Sequence, residues 1–337
     1  MKYSHHIILI ALLLSLSSCS WVHNMQINTL RSAQVNYKQP YPTVVIVNNC
    51  QADSLHESSK YIDENGRQYR LTSSTDSISQ TMAMSLGTYM YHSQAFERIE
   101  IFTPDSNNIT GIAGLDEQKV KQWQSQTHDD VHIAINAIIP IVNMQVTPID
   151  GVFCTDLSII TQAYMQCFVP QEEMVNVAIS DTLYWQAYGD TPDIANAYLP
   201  NFEKCLDEAI NTLAYKASNY FAPHTRIVNR LIFVTGHPAM KDAFKYWDRE
   251  QYTEASYIWE YVYKYAKDKG RRAKAAANLA LYNEIEDNYS EALKYAQEAS
   301  SIFIEIKEVE ASQYIVNYIT DLKSRIKEAS ILDSSIY

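Results

Sequence analysis

His128-Asp129-Asp130-Val131-His132 is the cluster in this sequence best suited to a metal. Two imidazoles four residues apart, with carboxylates between them, are ligands for zinc or another divalent ion. The backbone they must occupy argues against it. Apolar alternation begins at Val131, so His128 falls in the preceding turn. The segment reads as a polar helix-to-strand loop with His132 on the wet face of the strand. Asp129-Asp130 and Glu172-Glu173 are the paired carboxylates that acid–base chemistry needs. Neighbours on a strand point to opposite faces, so each pair reads as a solvated turn rather than a site. Gly111-Ile112-Ala113-Gly114 lacks the Lys-Ser/Thr of a phosphate cradle. Ser324-Arg325-Ile326-Lys327 has Ser-x-x-Lys spacing without its partner motifs. His224 and His237 stand beside prolines and read as capping or packing residues. No catalytic residue, metal ligand or cofactor is expected. A hydrolase, the enzyme alternative, would have to gather His132, Asp156 and Glu172 in one buried cleft.

The elements that would position such residues form an α+β arrangement over 41–235. Residues 43–49 are a β-branched run that suits a strand buried on both faces. Asn65-Gly66 predicts a two-residue hairpin turn within 61–71. Ile78, Met82, Leu86 and Tyr89 make one stripe of a helix over 75–93. A strand at 96–102 and a short helix at 115–125 follow, which implies a mixed or antiparallel sheet with packed helices. Three long alternating segments come next, the first from 131–141 with its apolar phase shifted after Pro140 to Val142, Met144 and Val146, as a bulge or a new strand would give, and the others at 153–169 and 175–187. They read as an antiparallel meander with one wet face. A helix over 193–221 and a strand at 226–234 close the domain.

From Pro238 the texture is continuous helix. Ala243, Tyr252 and Ala255 in one block match Ala280, Tyr289 and Ala292 in the next, offset by 37 residues, with Lys269-Gly270-Arg271 as a lengthened turn. These spacings resemble tetratricopeptide repeats. The tail, 236–337, is therefore expected to be an all-α, tetratricopeptide-like stack of helical hairpins, with a helix over 308–329 as its cap. Tyr246, Trp247, Tyr252, Tyr257, Trp259, Tyr261, Tyr263 and Tyr265 crowd its first pair. Tyr and Trp offer large contact area at low entropy cost. The repeat likeness implies a groove lined by the first helix of each pair, with Met240, Trp247, Lys274, Leu281 and Glu284 as partner contacts.

Residues 1–18 carry Lys2 and the apolar run Ile7 to Leu16, too short to span a bilayer as a helix. They fit a signal peptide. Leu16-Ser17-Ser18-Cys19 resembles the lipobox of bacterial lipoproteins. That likeness implies lipid on Cys19 and, with Ser20 following, an outer-membrane protein facing the periplasm. Residues 19–40 read as the tether. The whole arrangement resembles a family of tetratricopeptide-containing lipoproteins of unknown function from Gram-negative bacteria. In element order, the middle domain also resembles the periplasmic domain of curli-secretion-type lipoproteins. The 337 residues carry 27 Lys+Arg against 39 Asp+Glu, a net charge of −12 that disfavours nucleic acid. The expectation is a non-enzymatic protein-interaction or assembly module of the cell envelope, held to the membrane through Cys19 and recruiting another envelope protein or peptide. The alternatives are a subunit of an oligomeric export pore, since the meander strands are long enough to cross a bilayer, and an envelope hydrolase. Cys50, Cys154, Cys167 and Cys205 leave disulfide pairing open.

Overall fold

The computed structural model describes residues 22–35, 37, 43–51, 55–71, 78–104, 108–126 and 130–336. Cys19 and the whole of 1–18 lie outside them, as do His128 and Asp129. The fold is α+β, a mixed and largely antiparallel sheet with packed helices followed by an all-helical stack. The chain divides into two units, Ser32–His224 and Thr225–Asp333, the second including the N-terminal segment up to Arg31.

In the α/β unit, β2 (Thr43–Asn48) is buried at every position, as its unbroken β-branched run demands. It pairs in parallel with β5 (Arg98–Phe102) on one side and with the start of β6 (Val131–Ile149) on the other. Further along, β6 pairs in parallel with β3 (Lys60–Ile62), which forms a hairpin with β4 (Gln68–Arg70). Its turn spans 63–67 rather than two residues. The Asp63 carboxylate accepts the backbone N–H groups of Asn65 and Arg67, and Gly66 takes φ +79°. β6, β7 (Val152–Phe168) and β8 (Val175–Gly189) form the long meander.

The phase shift of β6 lies at Asn136, not after Pro140. The register slips between Ile135 and Ala137, so one extra residue flips the alternation. Ile133 and Ile135 belong to the main core, whereas further along the core-facing positions become Ile138, Val142 and Met144.

Helix α1 (Ile78–His92) precedes β5, and α2 (Glu117–Gln126) precedes β6. The helix read over 193–221 is two, α3 (Pro192–Tyr198) and α4 (Phe202–Phe221). Pro200 interrupts it, and the Asn201 side chain caps the second by accepting Glu203 N–H at 2.9 Å. Leu157, Ile159, Met165 and Ile179 of the meander share one core with Leu206, Ile210 and Leu213 of α4. The face that an export pore would turn to lipid is thus filled by the chain's own helix. α2 instead packs Val120 and Trp123 with Val45, Val47, Ala134 and Phe168.

The helical unit contains α5 (Pro238–Trp247), α6 (Tyr252–Tyr265), α7 (Lys269–Ile285), α8 (Tyr289–Glu305) and α9 (Val309–Ile336). Ala243, Ala255, Ala280, Ala292 and Ala296 are fully buried, as close helix crossings require. The supposed lengthened turn at Lys269-Gly270-Arg271 is instead the first turn of α7, capped by Asp268, whose carboxylate accepts Arg271 N–H at 2.9 Å.

Two strands complete this unit. β1 (Val22–Arg31) pairs with β9 (His224–Phe233) in a two-stranded sheet. Residues 22–31 are therefore a strand within the span read as a tether. β9, expected to close the α/β domain, clusters with the helices instead, which moves the boundary from 236 to 225.

Candidate functional site

The helical stack is the place to look first, because α5 and α7 carry all five expected contact residues. Met240, Trp247, Leu281 and Glu284 are all buried, and Lys274 is half-buried. The proposed groove is therefore not open to a partner. Its occupant is the β1–β9 ribbon of the same chain. Phe233 exchanges two backbone hydrogen bonds with the Asn278 side chain of α7, both 2.8 Å. The backbone N–H of Leu231 donates to Tyr314 Oη at 2.9 Å. From β1, Val22, Met25 and Ile27 pack on the helical core.

Glu284 lies at the centre of this filled face, with its side chain wholly buried. Arg230 of β9 grips it through Nε at 2.8 Å and Nη2 at 2.7 Å. Arg325 of α9 donates Nη1 at 2.5 Å, and Tyr318 donates its phenol at 2.7 Å. Arg230 also pairs with Asp321, which accepts Arg31 Nη2 of β1 at 2.6 Å. Burial opposes the Arg230 charge, but hydrogen bonding to Glu284 and that carboxylate's charge outweigh it, so its pKa is raised. Burial, then the charge of Glu284, pushes the Tyr318 phenol well up. Asp321 resists its partial burial through hydrogen bonds to Arg31 and Arg230 and stays below the usual carboxylate range. A carboxylate satisfied by two arginines and a phenol has no lone pair to spare for a substrate. The cluster joins β1, β9, α7 and α9, and its role is structural.

A cleft of about 250 Å³ adjoins this cluster, bounded by Met25–Asn28 of β1 and by Tyr252, Ile285, Asp287 and Arg325. It holds no nucleophile beside a base. Among the described residues of the α/β unit, His132, Asp156 and Glu172 are not gathered in one cleft. His132 is buried rather than on a wet face, with Nδ1 3.0 Å from Asp130 O and its ring near Trp123. Its partner across the ladder is Phe168, whereas Asp156 lies opposite Gln145, twelve residues along β7. That places Asp156 roughly 40 Å from the His132 end. Glu172 sits in the turn after β7, half-buried. Among the described residues no group of three His, Cys, Asp or Glu side chains could hold a metal.

Two polar features of this unit are structural. Asn49 Nδ2 donates to Asn136 Oδ1 at 2.7 Å, and Asn136 Nδ2 donates to Gln166 Oε1 at 3.0 Å, which pins the bulge. Gln166 also accepts Leu115 N–H at 2.9 Å and lies so close to Gly114 that a Cβ there would meet it at 2.7 Å. Cys50, Cys154, Cys167 and Cys205 are all buried as thiols. Burial raises the Cys167 thiol to about 12, far from a reactive thiolate.

The crowded tyrosines divide between core and surface. Trp247 and Trp259 face each other inside, with ring centroids 5.0 Å apart. Tyr263 is half-buried and donates to Glu298. Tyr257, Tyr261 and Tyr265 are 66, 57 and 68% exposed. Spaced at i, i+4 and i+8, they form one outward stripe of α6, with the last two rings 5.1 Å apart. The sequence placed them in the right crowd, and their four-residue spacing was the available signal for which of them face outward.

The profile of a family described as a domain of unknown function, DUF8603, matches residues 42–233. A second such profile, DUF6340, matches 241–324. No curated protein matches the chain. Among solved structures, a neuraminyllactose-binding hemagglutinin homolog from Helicobacter pylori aligns at 11% identity and a TM-score of 0.28, covering 57% of this chain and 85% of that one.

Proposed function

The chain belongs to the DUF8603 family, and for this member we propose a non-enzymatic interaction module of the bacterial cell envelope, anchored to the outer membrane through lipid on Cys19 and facing the periplasm. The anchor rests on the lipobox-like order Leu16-Ser17-Ser18-Cys19. The paired hairpins with buried alanines at matching positions support the tetratricopeptide-like reading of the tail. One observation carries the interaction reading, the exposed stripe Tyr257, Tyr261 and Tyr265 on α6. Exposed phenols in register offer a broad contact area at little entropic cost. The partner surface therefore belongs on this outer face rather than in the self-filled inner one. Another envelope protein or peptide is the partner we propose.

Photo-crosslinking in cells tests this. A photoreactive residue at Tyr257 or Tyr261 should yield a discrete protein adduct that one at Val309, equally exposed on α9, does not. Absence of any adduct specific to the stripe would sink the module reading. Intact-mass analysis of the mature protein tests the anchor separately, and an unmodified Cys19 thiol would refute it.

A further inference from the structure

Eleven residues where α6 passes into α7 carry charge opposite to the rest of the chain. Residues 264–274 hold six of the 27 basic side chains and one of the 39 acidic ones. Lys264, Lys267, Lys269, Arg271 and Arg272 are exposed, and Lys274 is half-buried. Lys264 and Lys269 pair with Glu260 and Glu305. Lys267, Arg271 and Arg272 make no ion pair among the described residues. Lys269, Arg271 and Arg272 occupy the first turn of α7, which holds no acid. The helix dipole is positive there, so cations at this end weaken the helix rather than support it. The core does not explain them, because Arg271 and Arg272 are exposed.

The course of β1 leads to the same end of the unit. β9 lies along α7 with Arg230 at Glu284, Phe233 at Asn278, and then Gly236 against Arg271. Met25–Asn28 of β1 border the cleft at the Glu284–Asp287 end, while His23 meets Phe244 of α5. Traced back from Asn28 to Val22, β1 leaves the Asp287 end of α7 and heads toward its cationic end. Only two residues separate Cys19 from Val22, so the three steps of chain reach at most about 11 Å.

We propose that the Lys264–Lys274 face is a membrane-docking surface that takes the phosphate-bearing headgroups of anionic lipids. The placement near the bilayer rests on the lipid-anchor reading above, whereas the charge of the face does not. Local positive charge in an acidic chain confines membrane attraction to this face and turns the rest of the molecule away.

The test uses the mature chain with Cys19→Ser, so that no acyl group contributes. It is sedimented with vesicles of phosphatidylcholine alone or mixed with phosphatidylglycerol. Binding should appear with the mixed vesicles, weaken with salt, and be absent with the neutral ones. The double variant Arg271→Glu with Arg272→Glu should bind about tenfold or more weakly. Its thermal midpoint should equal or exceed the parent's, because acids agree with the dipole at that end. Lys267→Glu, in the turn outside both helices, should weaken binding in the same direction. Equal sedimentation with both vesicle types, none with either, or undiminished binding of the charge-reversed chain would overturn the proposal. A free Cys19 thiol in cells would remove the anchor and leave this measurement intact.

Discussion

Arg230 of β9 and Glu284 of α7 form a two-pronged ion pair at 2.8 and 2.7 Å, in which the carboxylate is wholly buried. Glu284→Gln should therefore cost about 3–5 kcal/mol, because it leaves Arg325 charged and buried without a compensating carboxylate and Arg230 with Asp321 alone. Urea unfolding of the full chain measures it. An unchanged midpoint would mean that the cluster does not hold the ribbon in place.

Trp259 and Tyr261 are neighbours with opposite roles. Trp259 is fully buried, and Trp259→Ala should cost about 3–5 kcal/mol. Tyr261→Ala, on the exposed stripe, should stay within about 0.5 kcal/mol of the parent. The same change should abolish the crosslink made from Tyr257. A large stability loss at Tyr261 would reassign the stripe to packing.

His132 makes the α/β unit sensitive to acid. Burial lowers its pKa, against the smaller upward pull of Asp130. The unfolded chain then binds a proton that the folded one refuses. Stability should fall as pH drops below about 6.5 and level off only below the folded pKa. Unfolding midpoints across that range should decline in the parent and decline less in His132→Gln. Equal slopes would show that His132 is not buried in its neutral form.

The four thiols should remain thiols in an oxidising compartment. Cys50, Cys154, Cys167 and Cys205 are all buried as thiols. Alkylation in denaturant without reductant should label all four, as read by intact mass. A mass two labels short would reveal a disulfide.

The elements legible in the sequence were those whose order depends on their own residues. The run Thr43–Asn48, the alternation of β7 and the alanine crossings of the stack all form where periodicity puts them. What failed depended on distant partners. Asn136 absorbs the extra residue of β6 because Asn49 and Gln166 hold its side chain from positions 87 and 30 residues away. The repeat likeness implies a groove at Met240, Leu281 and Glu284, but the strand that packs there lies elsewhere in the chain. Glu284, expected to meet a partner, is instead satisfied by Arg230, 54 residues before it in the chain. β1 falls within the span read as a tether because its polar outward positions, Asn24, Gln26 and Asn28, disguise an alternation carried by Met25, Ile27 and Thr29.

The β1–β9 ribbon also dictates an order of events during synthesis. Thr29 bonds to Arg226 and Arg31 to Glu328, separations of 197 and 297 residues. β1 is made before every other described element yet finds its last partner only when α9 has been delivered. Residues 32–224 can complete their own core in that interval, whereas the helical unit stays unfinished until α9 arrives. A chain truncated before α9 should therefore carry a finished α/β unit and a β1 whose Arg31 lacks Asp321 and Glu328, which makes α9 the checkpoint for the earliest described strand.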